Sequence, residues 1–224
     1  EENIVIIKGK KIQDPVTLRA IELLGFKNEG LTIYLRHDLP LGSGFGISGA
    51  SALAACLELE KDLELCVKAA HQAEIEFQTG LGDVIAISTS IKNHTFPSIV
   101  IRHEPGYGGR TTFHPIKENF LVCVSGLGRD TSEIISDKGW VEIINSAALG
   151  IQFDEVSLRS AIKIGRLFTE KSGLINKNIS EIFDSTPIGS VCTVAHLGTS
   201  IIAISDDLLK LSESLEKFGE IRKY

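Results

Sequence analysis

Residues 3–8, NIVIIK, form a short apolar run of strand length. Asp14-Pro15 supplies an N-cap and a first-turn proline, and VTLRAIELLGF continues with helical spacing. In LTIYLRHD, 31–38, apolar and polar positions alternate, which predicts a strand. A glycine-rich stretch follows, then a small-residue helix through about Leu59. Asp62 caps a second helix reaching Phe77, with Cys66, Ala70, Ala73 and Phe77 on one face. A turn, TGLGD, leads to VIAISTS, a polar connection IKNHTFP, a strand SIVIR and a turn PGYGGR. FLVCVS, 120–125, opens a second unit. Thr131 or Ser132 starts a helix, and further helices are expected over 140–150, 156–171 and, briefly, 178–184. TSIIAIS reads as a strand, DDLLKLSESLEKFG as a helix, and GEIRKY as the start of another strand. Strands and helices mixed without strict alternation predict an α+β protein with a boundary near residue 118.

Composition narrows the function. The 224 residues are 43% hydrophobic, enough for one large or two modest domains. With 23 basic and 29 acidic side chains the net charge is −6, which argues against a nucleic-acid partner, because phosphate contacts need clustered Lys and Arg. No apolar run approaches the roughly 18 residues of a membrane span. No signal peptide opens the chain, so a cytoplasmic protein is expected. Cys56, Cys66, Cys123 and Cys192 are scattered, with no C-x-x-C pair, and read as free thiols. Methionine is absent, even at position 1, so the expectation is either that residues are omitted from this sequence or that its start is not the native one.

The segment LPLGSGFGISGASAL, 39–53, is where chemistry concentrates. Gly44, Gly46 and Gly49 spell G-x-G-x-x-G at the start of a helix. One reading is a helix start with small residues for tight packing. The other is an anion site, because the first N–H groups of a helix lack intrahelical partners and its dipole adds positive charge there. A dinucleotide fold needs a strand soon after the helix, and here a second helix follows. A Walker loop needs G-K-[ST], which this stretch lacks.

The pattern P-x-G-x-G-x-G-x-S-x-A, from Pro40 to Ala50, resembles the phosphate loop of the GHMP kinases, with Ile47 where that family has the first of two serines. AHQAEIEFQTGLGDV, 70–84, together with GFGxSGA and IVIRHEPG, resembles the archaeal pantoate kinase branch. The likeness is strongest over about residues 39 to 106 and continues more weakly through GLGRDTSEII and HLGTSIIAIS. It implies a two-domain fold, with a ribosomal S5 domain 2-like N-terminal domain over 1–118 and a ferredoxin-like C-terminal domain over 119–224. It implies an ATP- and Mg²⁺-dependent transfer to pantoate, giving 4-phosphopantoate, on the archaeal route to coenzyme A. Dimers are common in this group.

The resemblance also assigns roles. Pro40, Gly42, Ser43, Gly44, Phe45, Gly46, Ile47, Ser48 and Gly49 would line ATP. Ser48 and Glu74 would serve Mg²⁺, and Asp83 would take the substrate proton. Arg102 and His71 would hold substrate, a guanidinium fork matching the carboxylate of pantoate. Plainer readings stand beside these: Glu74 a solvated helix carboxylate, Asp83 a turn cap, His71 a structural histidine, Arg102 a strand-end surface charge. Arg129, in GLGRD, is a reserve for substrate binding. Glu76 reads as surface or as a local salt-bridge partner. Two departures are plain. The family's first motif, near its N-terminus, is absent, and IKNHTFP stands as an apparent insertion without the usual glycine pair before Arg102. Other enzyme readings are a homoserine or mevalonate-type kinase, and a reading from another class is a non-catalytic metabolite sensor on the same fold.

Overall fold

The computed structural model describes residues 2–80, 82–125, 131–153 and 155–224, with the backbone alone over 131–133. Two compact units emerge. The first comprises Glu1–Leu41 and Gly46–Phe113, the second Gly42–Phe45 and His114–Tyr224.

In the first unit, β1 (Ile4–Ile7) pairs antiparallel with β2 (Lys10–Ile12) and parallel with β3 (Thr32–Leu35), Val5 lying opposite Ile33. A parallel pair needs a crossover, and α1 (Pro15–Leu23) provides it. Asp14 caps α1 by accepting from the Thr17 amide, and Pro15 takes the first helical position, where a missing N–H is harmless. Next come α2 (Ile47–Leu59), α3 (Leu63–Phe77) and α4 (Asp83–Lys92). Their core joins Ile21, Ala52, Leu53, Cys56, Cys66, Ala70, Ala73 and Val84, all buried. The alanines on facing helices allow close approach, which brings the ends of α2, α3 and α4 within side-chain reach of one another. β4 (Ser98–Arg102) pairs with β5 (Thr111–Pro115). The run VIAISTS is helical, and α4 extends to Lys92, so the first two residues of IKNHTFP belong to a helix rather than to the expected connection.

The second unit is a four-stranded antiparallel sheet of β6 (Leu121–Val124), β7 (Val191–Val194), β8 (Ile201–Ile204) and β9 (Glu220–Lys223), in the order β7-β8-β6-β9. Its helices are α5 (Thr131–Ser136), α6 (Lys138–Ala148), α7 (Leu158–Ser172), α8 (Lys177–Ser185) and α9 (Leu208–Leu215). Strand, helices, two strands, helix, strand is the ferredoxin-like succession. Leu121, Cys123, Ile179, Ile182, Ile201, Leu211 and Leu215 form its core. The four cysteines are buried and unbonded. Burial pushes the Cys56 thiol up to about 12, which keeps it protonated and unreactive. Among the described residues, no helix is long and apolar enough to cross a membrane.

Candidate active site

In the first unit, the residue types singled out above converge on one end of α2. Gly46 is its N-cap, in the left-handed conformation (φ 63), and no side chain caps the helix. The amides that open α2 therefore have no side-chain partner of the usual N-cap kind. The Asp83 carboxyl lies against Gly46: a Cβ there would fall 2.5 Å from its Cγ. The Glu74 carboxyl lies against Gly49, in the first turn, where a Cβ would fall 2.7 Å from Oε1. The glycines thus let two carboxylates approach the start of a helix. Ser48, half-buried, is the second residue of that helix.

Each carboxylate is fixed by its own element. Asp62 caps α3 through the Glu64 and Leu65 amides, and the buried face of that helix carries both His71 and Glu74, at 3% and 1% exposure. Asp83 is the first residue of α4. Gly80 touches both acids: a Cβ there would meet Asp83 Oδ2 at 2.6 Å and Glu74 Oε1 at 2.9 Å. Arg102, ending β4, reaches Gly82, where a Cβ would sit 2.9 Å from its Nη1. Glu76, two residues beyond Glu74, faces away and pairs with Arg19 of α1 at 2.7 Å.

Electrostatics follow from this crowding. Burial, and then the charge of Asp83, push the Glu74 carboxyl up to about 8. The Val84 amide and the Thr79 hydroxyl oppose that rise, although Glu74 Oε1 and Oε2 have no well-formed hydrogen-bond partner. Burial raises Asp83 as well, and Arg102 pulls it back. Burial lowers His71, and Arg102 lowers it further. Both ring nitrogens of that neutral imidazole are buried without a partner.

Two crowded, unsatisfied carboxyl oxygens are what a hard divalent cation would relieve. The donor set thus fits Mg²⁺. Among the described residues no three His, Cys, Asp or Glu side chains group as metal ligands, so water and phosphate would supply the remaining coordination.

Without a cation, the raised Glu74 carboxyl leaves a signature. Its ordinary value is 4.5 and its folded value about 8, so the folded chain keeps a proton that the unfolded chain releases between them. The resulting contribution to stability is full below the unfolded value and is lost as pH rises through the folded one. The melting temperature of the wild type relative to Glu74→Gln should therefore fall from about pH 5 to about pH 8, in metal-free buffer. A pH-independent difference would contradict the burial of this carboxyl.

In the second unit the loop Gly42–Phe45 rests on the turn after β7. Gly44 (φ 91) leaves no room for a side chain, since a Cβ would lie 2.1 Å from the Ala195 carbonyl oxygen. Gly198 is as tight, with a Cβ 2.3 Å from the Ser43 carbonyl. Ser125 and Thr199 exchange hydrogen bonds with each other's carbonyl oxygens and anchor that turn to β6. Ser43 is buried, while Pro40 and Gly42 are exposed.

Sequence reasoning singled out His71, Glu74, Asp83 and Arg102, and the structure gathers these four in the first unit. It read Thr79 and Gly80 only as part of the turn before Asp83 and gave neither a role of its own. Nor did it find the His37–Ser51 hydrogen bond (2.8 Å), which ties the segment after β3 to α2. Arg129 lies outside the described residues.

Residues 15–90 match the profile of the GHMP kinases N terminal domain. That stretch of the chain is a GHMP kinases N terminal domain. Among its relatives, the pantoate kinase of Methanocaldococcus jannaschii is 29% identical over 185 residues, 80% of this chain and 66% of that protein. The pantoate kinase of Methanospirillum hungatei is 28% identical over 91% of this chain and 68% of its own length. That of Thermococcus kodakarensis is 31% identical over 67% of this chain and half of its own length. The chain thus spans from half to about two thirds of the curated relatives it matches. A solved phosphotransferase related to the coenzyme A biosynthesis pathway shares this fold, with a TM-score of 0.68 and 22% identity over 99% of this chain and 77% of that one. Phosphomevalonate kinase of Streptococcus pneumoniae superposes with a TM-score of 0.52 at 14% identity, over 100% of this chain and 86% of that one.

Proposed function

We propose that this GHMP chain is an ATP-dependent kinase that phosphorylates pantoate to 4-phosphopantoate, in the cytoplasm and on an archaeal route to coenzyme A. The observation that carries the reading is the convergence of Glu74 and Asp83 on Gly49 and Gly46, at the start of α2. Phosphoryl transfer requires positioning and charge stabilisation at one place, and an uncapped helix start beside two acids offers both. Residues 1–118 are assigned to the ATP-binding domain and 119–224 to the family's C-terminal domain.

The roles are as follows. Main-chain amides from Gly44 to Ser48 hold the phosphates, with Pro40, Gly42, Ser43 and Gly49 shaping the loop. Ser48 and Glu74 hold Mg²⁺, which when bound neutralises phosphate charge. Asp83 accepts the proton of the substrate hydroxyl as that oxygen bonds to the γ-phosphorus, and the bond from phosphorus to the bridging oxygen of ADP breaks. A carboxylate is a weak base for an alcohol, and Asp83 serves because the proton moves late. Arg102 and His71 bind the pantoate carboxylate, the first by charge and the second through an imidazole nitrogen.

Substrate choice rests on Arg102 and His71. Homoserine carries an ammonium that would want a carboxylate partner of its own, whereas mevalonate shares the carboxylate of pantoate. The test is an ADP-coupled assay over pantoate, homoserine and mevalonate with Mg·ATP. Pantoate should turn over with a kcat/KM at least tenfold above the others, a ratio within reach of a few specific polar contacts. Turnover of homoserine or mevalonate with pantoate inert would overturn the assignment, and inertness towards all three with tight nucleotide binding would favour a sensor.

A further inference from the structure

The turn joining α3 to α4 holds a hydroxyl without a role in the reaction above. Gln78 closes α3 in the left-handed conformation (φ 53). The Thr79 amide then donates to the Glu74 carbonyl oxygen at 3.2 Å, which folds the chain back over the last turn of the helix. Thr79 is thereby carried to the Glu74 carboxylate. Gly80, next in the chain, lies against Glu74 Oε1 and Asp83 Oδ2. Thr79 Oγ1 is buried and has no hydrogen-bond partner, and the same is true of both Glu74 oxygens. The hydroxyl is nonetheless near enough to favour the ionised carboxylate.

Three oxygens, one of them able to donate, are thus enclosed together beside a second acid. A threonine hydroxyl offers one proton and can turn to deliver it. A carboxylate that serves a cation is generally oriented by a hydrogen bond to its other oxygen, and losing that bond typically weakens metal affinity by about 10- to 100-fold. Ser48 and Asp83 cannot take this part in the proposed reaction, since the first is assigned to the ion and the second to the substrate hydroxyl.

We propose that Thr79 is a positioning residue for the divalent cation: its hydroxyl donates to one Glu74 oxygen and leaves the other directed at the ion. The inference rests on the reading of Glu74 as the residue that holds Mg²⁺. A residue that only shaped the turn would act through its backbone, and an isosteric valine would serve as well.

The test uses Mn²⁺ as the probe, titrated against the whole chain in the presence of ADP, with free Mn²⁺ followed by electron paramagnetic resonance. Thr79→Val should weaken Mn²⁺ binding by about tenfold or more, with the metal-free melting temperature little changed. Thr79→Ser, which keeps the donor, should bind within about threefold of wild type. Should the valine variant not fold, Thr79→Ala removes the same hydroxyl with less bulk and carries the same expectation. Wild-type affinity in the variants without the hydroxyl, or a tenfold loss in the serine variant, overturns the inference. Glu74→Gln separates the two readings. If it weakens Mn²⁺ while Thr79→Val does not, only the role of Thr79 falls. If neither weakens it, the role of Glu74 falls as well.

Discussion

Asp83→Asn is expected to keep nucleotide affinity within about threefold of wild type and to lose turnover by 10²-fold or more, the usual contribution of a positioned general base. The substitution preserves volume, so the approach to Gly46 survives. It also preserves a polar group at the first position of α4. What disappears is the capacity to accept a proton. The charge balance shifts too, because Asp83 is one of the two causes that raise Glu74. An amide in its place lets Glu74 ionise more easily, which favours cation binding and leaves the loss in turnover. Calorimetric binding of ADP alongside the coupled assay separates these effects. Unchanged turnover would remove Asp83 from the reaction.

Gly198→Ala is expected to be nearly as damaging. Its φ lies outside the left-handed region, so the obstacle is steric. The new methyl would fall 2.3 Å from the Ser43 carbonyl carbon and 2.4 Å from the Gly44 nitrogen. These are main-chain atoms, so no rotamer change relieves the contact and the loop itself must move. Overpacking of this kind costs about 1–3 kcal/mol, and a displacement of about 1 Å at a reacting group can cost about 10²-fold in rate. We expect kcat/KM for ATP to fall by about 10- to 100-fold in a protein that still folds. Gly150→Ala is the control. Unlike Gly198, Gly150 has a left-handed backbone (φ 77), and no atom lies within 4 Å of an added Cβ, so it bears a backbone penalty without a steric one. Wild-type nucleotide affinity in Gly198→Ala would show that the loop does not depend on this contact.

Helix starts were the most legible part of the chain, because they carry their own chemistry. Asp14-Pro15 and Asp62 mark α1 and α3, and both aspartates cap as their sequence implies. The strands NIVIIK, SIVIR, FLVCVS and TSIIAIS were legible from apolar runs. β2, β5 and β7 were not. Lys10–Ile12 is three residues with two lysines, Thr111–Pro115 ends in proline, and Val191–Val194 is four residues without alternation. Their pairing comes from neighbouring strands rather than from local preference. VIAISTS is rich in β-branched residues, yet it is helical, since the packing of α4 against α3 overrides propensity. In the site, the acids could be named from the family pattern. That they meet glycines could not, because a glycine's contribution here is the absence of an atom. The approach of Gly198 to Ser43 joins segments far apart in sequence and leaves no periodic trace.

Membership of the loop has a practical bearing on dissection. Four residues, Gly42–Phe45, cluster with the later part of the chain although their neighbours on both sides cluster with the earlier part. A fragment cut after Phe113 would carry the loop's letters without the Ala195–Gly198 backbone that gives them their shape. Truncation is therefore the wrong instrument for this molecule, and single-atom additions at its glycines are the right one.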